Sequence, residues 1–241
     1  MQSIPLMKSS ITILILILFG HMSKAQVCSV PNDLQLVYAE DFSTPQSMYH
    51  MEFTDRNAWR IAGPDGGEYL ELWGESEYVP PFRSPLNVAL FDFEVEGDFM
   101  MEVRLAQTGR EYGHRDLCLF FGVIDPSHFY YVHLASVADD HANNIFIVDE
   151  AARTKIADIT TTGTAWGSTD SWHTATIIRK VEQGIIEVYF DDCESPVMIA
   201  RNDRFGHGKI GFGSFDDAGK FDSVKIWSKN HPSKQNRFFK N

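Results

Sequence analysis

The feature that most constrains this chain is a hydrophobic alternation of period two, repeated from residue 34 to residue 227 and broken at short intervals by Gly, Pro, Asp and Asn. Segments 34–40, 59–61, 68–73, 86–93, 99–105, 117–124 and 129–135 read as strands. So do 144–148, 173–180, 185–190, 198–200, 209–215 and 223–227. "VEQGIIEVYF" has the form of a hairpin around Gln183-Gly184, and "SFDDAGKFD" turns through Asp216 to Gly219. No stretch of ten residues carries a 3.6 period. These short strands and closely spaced turns predict an all-β chain, a two-sheet antiparallel jelly-roll sandwich.

The two ends differ from this body. Lys8, the apolar run "ITILILILF" and the small-x-small "SKA" at 23–25 follow the plan of a secretory signal peptide. The run is too short to span a membrane. Residues 1–25 are therefore expected to be removed on export to the periplasm or outside the cell. A lipid anchor on Cys28 is the lesser alternative, because "KAQVC" lacks a small residue before the cysteine. Residues 26–228 suit one domain, and the basic, aperiodic tail at 229–241, "KNHPSKQNRFFKN", is expected to be disordered.

Beyond residue 25 the chain carries 19 Lys and Arg against 33 Asp and Glu, a formal charge of −14. That field excludes binding to nucleic acid or to an anionic membrane by bulk electrostatics. No membrane insertion is expected, and the protein is expected to be a monomer. Cys118, inside an apolar run, reads as a buried thiol. Cys28 and Cys193 lie in loop-like sequence and could pair.

From Trp172 to Trp227 the chain runs "DSWHTATIIRKVEQGIIEVYFDD", then "RFGHGKIGFGSFDDAGKFDSVKIW". It resembles the second half of concanavalin A-like lectin/glucanase domains, which follow a W-H-x strand with a hairpin, a G-x-I/V-G strand and a closing F-D-x-V-x-hydrophobic-W. The resemblance implies a jelly roll with saccharide on one sheet. It also implies a structural Ca²⁺ between the first and last strands, for which Glu40, Asp41 and Asp222 stand at suitable places. No other cofactor is implied. No pair among the four histidines between 114 and 141 stands at H-x-H or H-x₃-H spacing, so zinc is not expected.

The stretch "HFYYVHLASVADDHANNIF" carries the candidate chemistry. Tyr130, Val132 and Leu134 make the better core face, so Tyr131 and His133 point outward about 7 Å apart. By the same parity Leu86, Val88 and Leu90 face inward, with Arg83 and Asn87 opposite. Leu117, Leu119, Phe121 and Val123 face inward, leaving His114 and Asp116 opposite and Arg115 beside them. Residues 110–141 hold Arg110, His114, Arg115, His128, His133 and His141 within an acidic chain. This clustering predicts a pocket for an anionic saccharide, a uronate or sulfate ester, since the guanidinium fork suits either group.

One chemistry uses all these parts, β-elimination on a uronic acid. A cation neutralises the carboxylate, a base takes the C5 proton and an acid protonates the leaving oxygen. The expected roles are His133 as base, Tyr131 as acid or second base, and Arg83 or Arg115 on the carboxylate. His114 assists, and Asn87, His141 and Asn143 hold substrate. Trp166, in the polar loop "TGTAWGSTD", offers a sugar-stacking platform.

"RSPL", "YVHL" and "VYFDD" resemble, in order, three strands of alginate-lyase-type jelly rolls. Pro85, Tyr131, Val132, Asp191 and Asp192 depart from that pattern. The reaction would be that of a lyase or a dehydratase. The alternatives are a non-catalytic carbohydrate-binding module and, third, a glycoside hydrolase. The nearest acid string, "EGDFMME", spreads Glu96 and Glu102 roughly 20 Å along a strand, against the 5–5.5 Å that retention needs.

Overall fold

The computed structural model describes residues 28–239, so the expected signal segment lies outside the described residues. Seventeen strands follow one another: β1 Gln35–Glu40, β2 Met51–Phe53, β3 Trp59–Ala62, β4 Tyr69–Leu72, β5 Asn87–Glu96 and β6 Phe99–Gln107. Next come β7 Asp116–Asp125, β8 His128–Ala135, β9 Asn144–Asp149, β10 Thr154–Lys155, β11 Ala157–Thr160 and β12 His173–Lys180. The chain closes with β13 Ile185–Phe190, β14 Met198–Arg201, β15 His207–Ser214, β16 Gly219–Ser228 and β17 Ser233–Lys234. All thirteen expected strands form. Four short ones, β2, β10, β11 and β17, carry too few residues to show a period.

Two antiparallel sheets make a sandwich. The first has the order β11-β14-β13-β12-β6-β16-β4-β3, with β1 also on β16. The second has the order β10-β9-β8-β7-β15-β5-β17, with β2 also on β5. The hairpin at Gly184 closes with Gly184 N–H on Val181 O, and Gly184 takes a positive φ that its lack of a Cβ allows. Between the sheets lies one apolar core. Trp59, Phe91, Phe212 and Phe221 meet at its centre, Phe212 stacking on Phe221 at 4.4 Å. Each such side chain contributes about 1.5–3 kcal/mol on burial. Cys28 and Cys193 form a disulfide, which commits the sulfur a lipid anchor would need, and Cys118 is a buried free thiol.

Two expectations are corrected. Residues 229–239 are not a loose tail, for β17 pairs with β5 and Lys209 Nζ donates to Asn236 O. The backbone N–H groups of Phe238 and Phe239 donate to Glu52, whose carboxylate also pairs with Lys209. Their side chains pack on the outer face of the second sheet. The parity of β5 is also reversed: Ala89, Phe91, Phe93 and Val95 face the core, while Val88 and Leu90 face outward. The first half of β5 is apolar on both faces, so alternation does not distinguish them there, while Asp92, Glu94 and Glu96 mark the outward parity only further along. On β7, Leu117, Leu119 and Phe121 face inward as expected. A bulge at Gly122, φ +58°, turns Val123 outward.

Candidate functional site

Strands β7 and β8 pair with Cys118 opposite His133 and Asp116 opposite Ala135. That register sets Asp116, Cys118, Tyr131 and His133 on the outer face of the second sheet. The loop after β9 then crosses this face, Arg153 N–H donating to Arg83 O at 3.1 Å. The result is an open cleft of about 620 Å³ lined by Arg83, Tyr112, His114, Asp116, His133, His141, Arg153, Phe215 and Asp216.

Arg153 organises the wall. Its guanidinium lies 4.2 Å from the Phe215 ring centroid and 5.1 Å from that of Phe146. It donates to the Tyr131 hydroxyl at 3.2 Å and to His141 O at 2.9 Å. Arg83 approaches Phe215 at 5.7 Å. Two cations therefore share one aromatic ring, an arrangement worth about 0.5–2 kcal/mol per contact according to how far it is desolvated. At the rim His114 Nε2 stands 2.6 Å from Asp139 Oδ2.

The floor is buried and polar. His133 is 4 % exposed, its Nε2 lies 3.3 Å from Asp116 Oδ2, and neither ring nitrogen makes a hydrogen bond within the protein. Burial pushes the Asp116 carboxyl up, but the charge of His133 across that contact, with donation from Phe215 N–H and the Cys118 thiol, outweighs it. The net effect holds Asp116 below the usual carboxylate range. Burial pushes the Tyr131 phenol well above its ordinary value, so the hydroxyl stays protonated while it accepts from Arg153. Asp217, half-buried beside the cleft under the Tyr112 hydroxyl, is pushed up to about 6, chiefly by its partial desolvation. Asp216 shifts the same way, through burial and then through the charge of Asp116.

The cleft thus gathers Arg83, His114, His133 and His141 of the expected residues, with Tyr131 buried beneath Arg153. Others stand elsewhere. Arg115 turns into the protein, donating to Ser136 Oγ and Gly167 O, because its own strand turns Asp116 toward the cleft. Asn143 is wholly buried and ties its loop together through Thr161 O and Thr164 Oγ1. Asn87 is buried on the core-side parity of β5 and does not line the cleft. Trp166 is 2 % exposed, donates Nε1–H to Leu134 O and packs edge-on against Phe190, so it offers no sugar platform. Its loop is polar in composition but folds back over the end of the core. Tyr189 lies on β13 of the first sheet, away from His133.

The acids at the sheet ends do not gather either. Glu40 accepts from Phe42 N–H and Ser47 Oγ, Asp41 from Ser43 N–H, and Asp222 pairs with Arg104 at 3.1 Å. Among the described residues, groups of three ligand atoms within 4.8 Å of one another occur at Asp116–Cys118–His133 and at Asp116–Asp216–Asp217. Sequence reasoning missed Arg153, Tyr112, Phe215 and Asp216. Only the turn around Asp216 carried a signal, and Arg153 sits in a short loop that no period marks.

No family model matches the sequence, and no curated protein is similar to it. Similarity appears among solved structures. The carbohydrate-binding module CBM66 from Bacillus subtilis matches at 18 % identity over 74 % of this chain and 96 % of that one, TM-score 0.51. The carbohydrate recognition domain of Emp47p matches at 11 % identity over 84 % of this chain and 100 % of that one, TM-score 0.53. Domain 4 of AbnA, an extracellular arabinanase from Geobacillus stearothermophilus solved with arabinotriose, matches at 11 % identity over 81 % and 93 %, TM-score 0.51. At such identities the likeness speaks for architecture alone. The chain shares with these structures the two-sheet antiparallel jelly-roll fold.

Proposed function

We propose that this protein binds carbohydrate in the cleft on the outer face of its second sheet, and that the ligand carries a carboxylate or sulfate. The observation that carries the reading is the pair Arg83 and Arg153 on Phe215 beside a buried histidine with unpartnered ring nitrogens. Two guanidiniums converging on one ring at an open cleft present planar donor forks that suit a carboxylate or a sulfate. The similar folds named above are of a carbohydrate-binding module, a carbohydrate recognition domain and a domain crystallised with arabinotriose, which supports a saccharide.

The test is calorimetric titration with oligogalacturonate, oligoguluronate and a sulfated oligosaccharide, against neutral oligomers of matched length. Arg153→Ala should weaken an anionic ligand by roughly tenfold or more, the range of a lost charged hydrogen bond. Neutral oligomers should bind no better to wild type than to the variant. Equal affinity of the variant for the anionic ligand would sink the reading.

A second reading, elimination on a uronate, draws on His133 beside Asp116 and on the Tyr131 hydroxyl under Arg153. In that case His133 takes the C5 proton while Arg153 and Arg83 hold the carboxylate, and the product absorbs in the ultraviolet. Ultraviolet absorbance recorded during the same titrations separates the two. A rise abolished by His133→Ala selects elimination, and a flat trace with saturable binding selects the binding protein.

A further inference from the structure

We propose that Asp116, Cys118 and His133 form a binding site for a zinc-class divalent metal ion at the floor of the cleft, with one coordination position open to it. The inference goes beyond the saccharide reading and does not depend on it. It rests on three chemically different ligand atoms converging from two paired strands. Asp116 Oδ2 is 3.2 Å from Cys118 Sγ and 3.3 Å from His133 Nε2, and all three atoms lie within 4.8 Å of one another. A tetrahedral ion with zinc's usual bond lengths has ligand–ligand edges of about 3.3–3.6 Å.

Burial makes the assignment more specific. All three residues are buried, yet neither nitrogen of His133 has a hydrogen-bond partner, which in an interior normally costs about 1–3 kcal/mol per group. A metal on Nε2 would meet that need at one of the two nitrogens. One carboxylate and one thiolate also balance a dication, so the loaded floor is neutral and its burial is cheap. The carboxylate is already oriented from behind, Ser214 Oγ standing at 3.3 Å from Oδ1 and Phe215 N–H donating to Oδ2 at 2.9 Å. Sulfur and imidazole ligands favour zinc and its first-row neighbours over calcium or magnesium.

Binding would displace the thiol proton, M²⁺ joining the sulfur as H⁺ leaves through the cleft to solvent. Because the thiol must lose its proton to ligate, uptake should weaken as pH falls. The sequence concealed this site because its ligands are Asp-x-Cys on one strand and a single histidine on the next, whereas histidine spacing alone was considered.

The test is titration of the untagged, chelator-treated protein with Co²⁺ alone, followed by Zn²⁺. The expected result is one equivalent of Co²⁺, a thiolate-to-cobalt charge-transfer band in the near ultraviolet, and visible bands of four-coordinate intensity that Zn²⁺ removes. Cys118→Ser should abolish the charge-transfer band, and His133→Gln should weaken uptake by about tenfold or more. Folded wild-type protein showing no such band at millimolar Co²⁺ overturns the proposal. So does an unchanged band in Cys118→Ser, or displacement by Ca²⁺ as readily as by Zn²⁺, which would point to the all-oxygen group with Asp216 and Asp217. If either variant fails to fold, the wild-type spectrum and the Zn²⁺/Ca²⁺ competition decide alone.

Discussion

The outer faces of the two sheets are built differently. On the first sheet, cross-strand ion pairs keep their cation partly in solvent over a more covered carboxylate: Arg60 with Glu71, Arg104 with Asp222, Lys225 with Glu102, Lys180 with Glu187. On the second, Val88, Leu90, Cys118, Phe120 and Phe146 form an apolar cluster that the C-terminal segment covers. The ion pair there, Glu52 with Lys209, is fully buried. A solvated face needs only compatible charges, whereas a covered face must satisfy every polar group it buries. The cleft opens where the cover of the second sheet stops.

The largest effect that could break this comparison is therefore Glu52→Ala. It strands Lys209 without a counter-charge and frees the N–H groups of Phe238 and Phe239. A loss of about 3–5 kcal/mol follows from removing one partner of a buried pair. At ~2–4 °C per kcal/mol for a domain of this size, Tm should drop by roughly 6–20 °C. Arg60→Ala, across the molecule, removes a pair whose arginine is half exposed and should cost under ~1 kcal/mol. Equal shifts in calorimetry would mean that the C-terminal segment merely rests on the sheet.

The same contrast explains what the sequence disclosed. On β8 the choice of Tyr130, Val132 and Leu134 as the core face was right, and it put His133 on the cleft side. Strand β5 reads "NVALFDFEVE", its first half apolar on both parities because Phe238 and Phe239 pack on its outer face. Those aromatics lie in a tail with no period of its own, so neither the order of the tail nor its contact with β5 is legible locally. Trp166 differs for a related reason: its loop is polar in composition, yet its backbone folds over the core. The cleft's histidines were legible because they oppose the charge of the chain. Arg153 was not, since only the path of its loop brings it there.

Backbone conformation allows a finer comparison. Gly122 at φ +58° forms the bulge inside the second sheet, where an added Cβ would lie 3.2 Å from Tyr130 Cδ2 and 3.3 Å from Phe205 Cβ. Gly97 at φ +79° joins β5 to β6 in open space. Alanine at either carries the left-handed cost of about 1–2 kcal/mol. At Gly122 crowding adds about another 1 kcal/mol or more. Urea unfolding should therefore rank Gly122→Ala clearly below Gly97→Ala. The opposite order would mean that the second sheet yields locally and that its bulge does not fix the strand carrying Asp116.

The smallest effect is electrostatic and bears on the cleft itself. Asp217 is pushed up to about 6 by burial, and Asp216 is raised too. Asp217 is uncharged in the folded protein at pH values where an ordinary carboxyl has already ionised. As pH rises through 6 it gains negative charge at the edge of the cleft, so an anionic saccharide should bind more weakly at pH 7.5 than at pH 5.5. One such charge about 10 Å from the ligand is worth ~0.5–1 kcal/mol, or about two- to fivefold in affinity. Asp217→Asn keeps an oxygen for the Tyr112 hydroxyl and Asp116 N–H while fixing the position as neutral. It should bind more tightly than wild type at pH 7.5 and about equally at pH 5.5. Any contribution of the rim histidines is common to both proteins, so the difference between them isolates the aspartate. Identical pH profiles for the two would place the ligand outside the reach of this cleft, on the charged face of the first sheet.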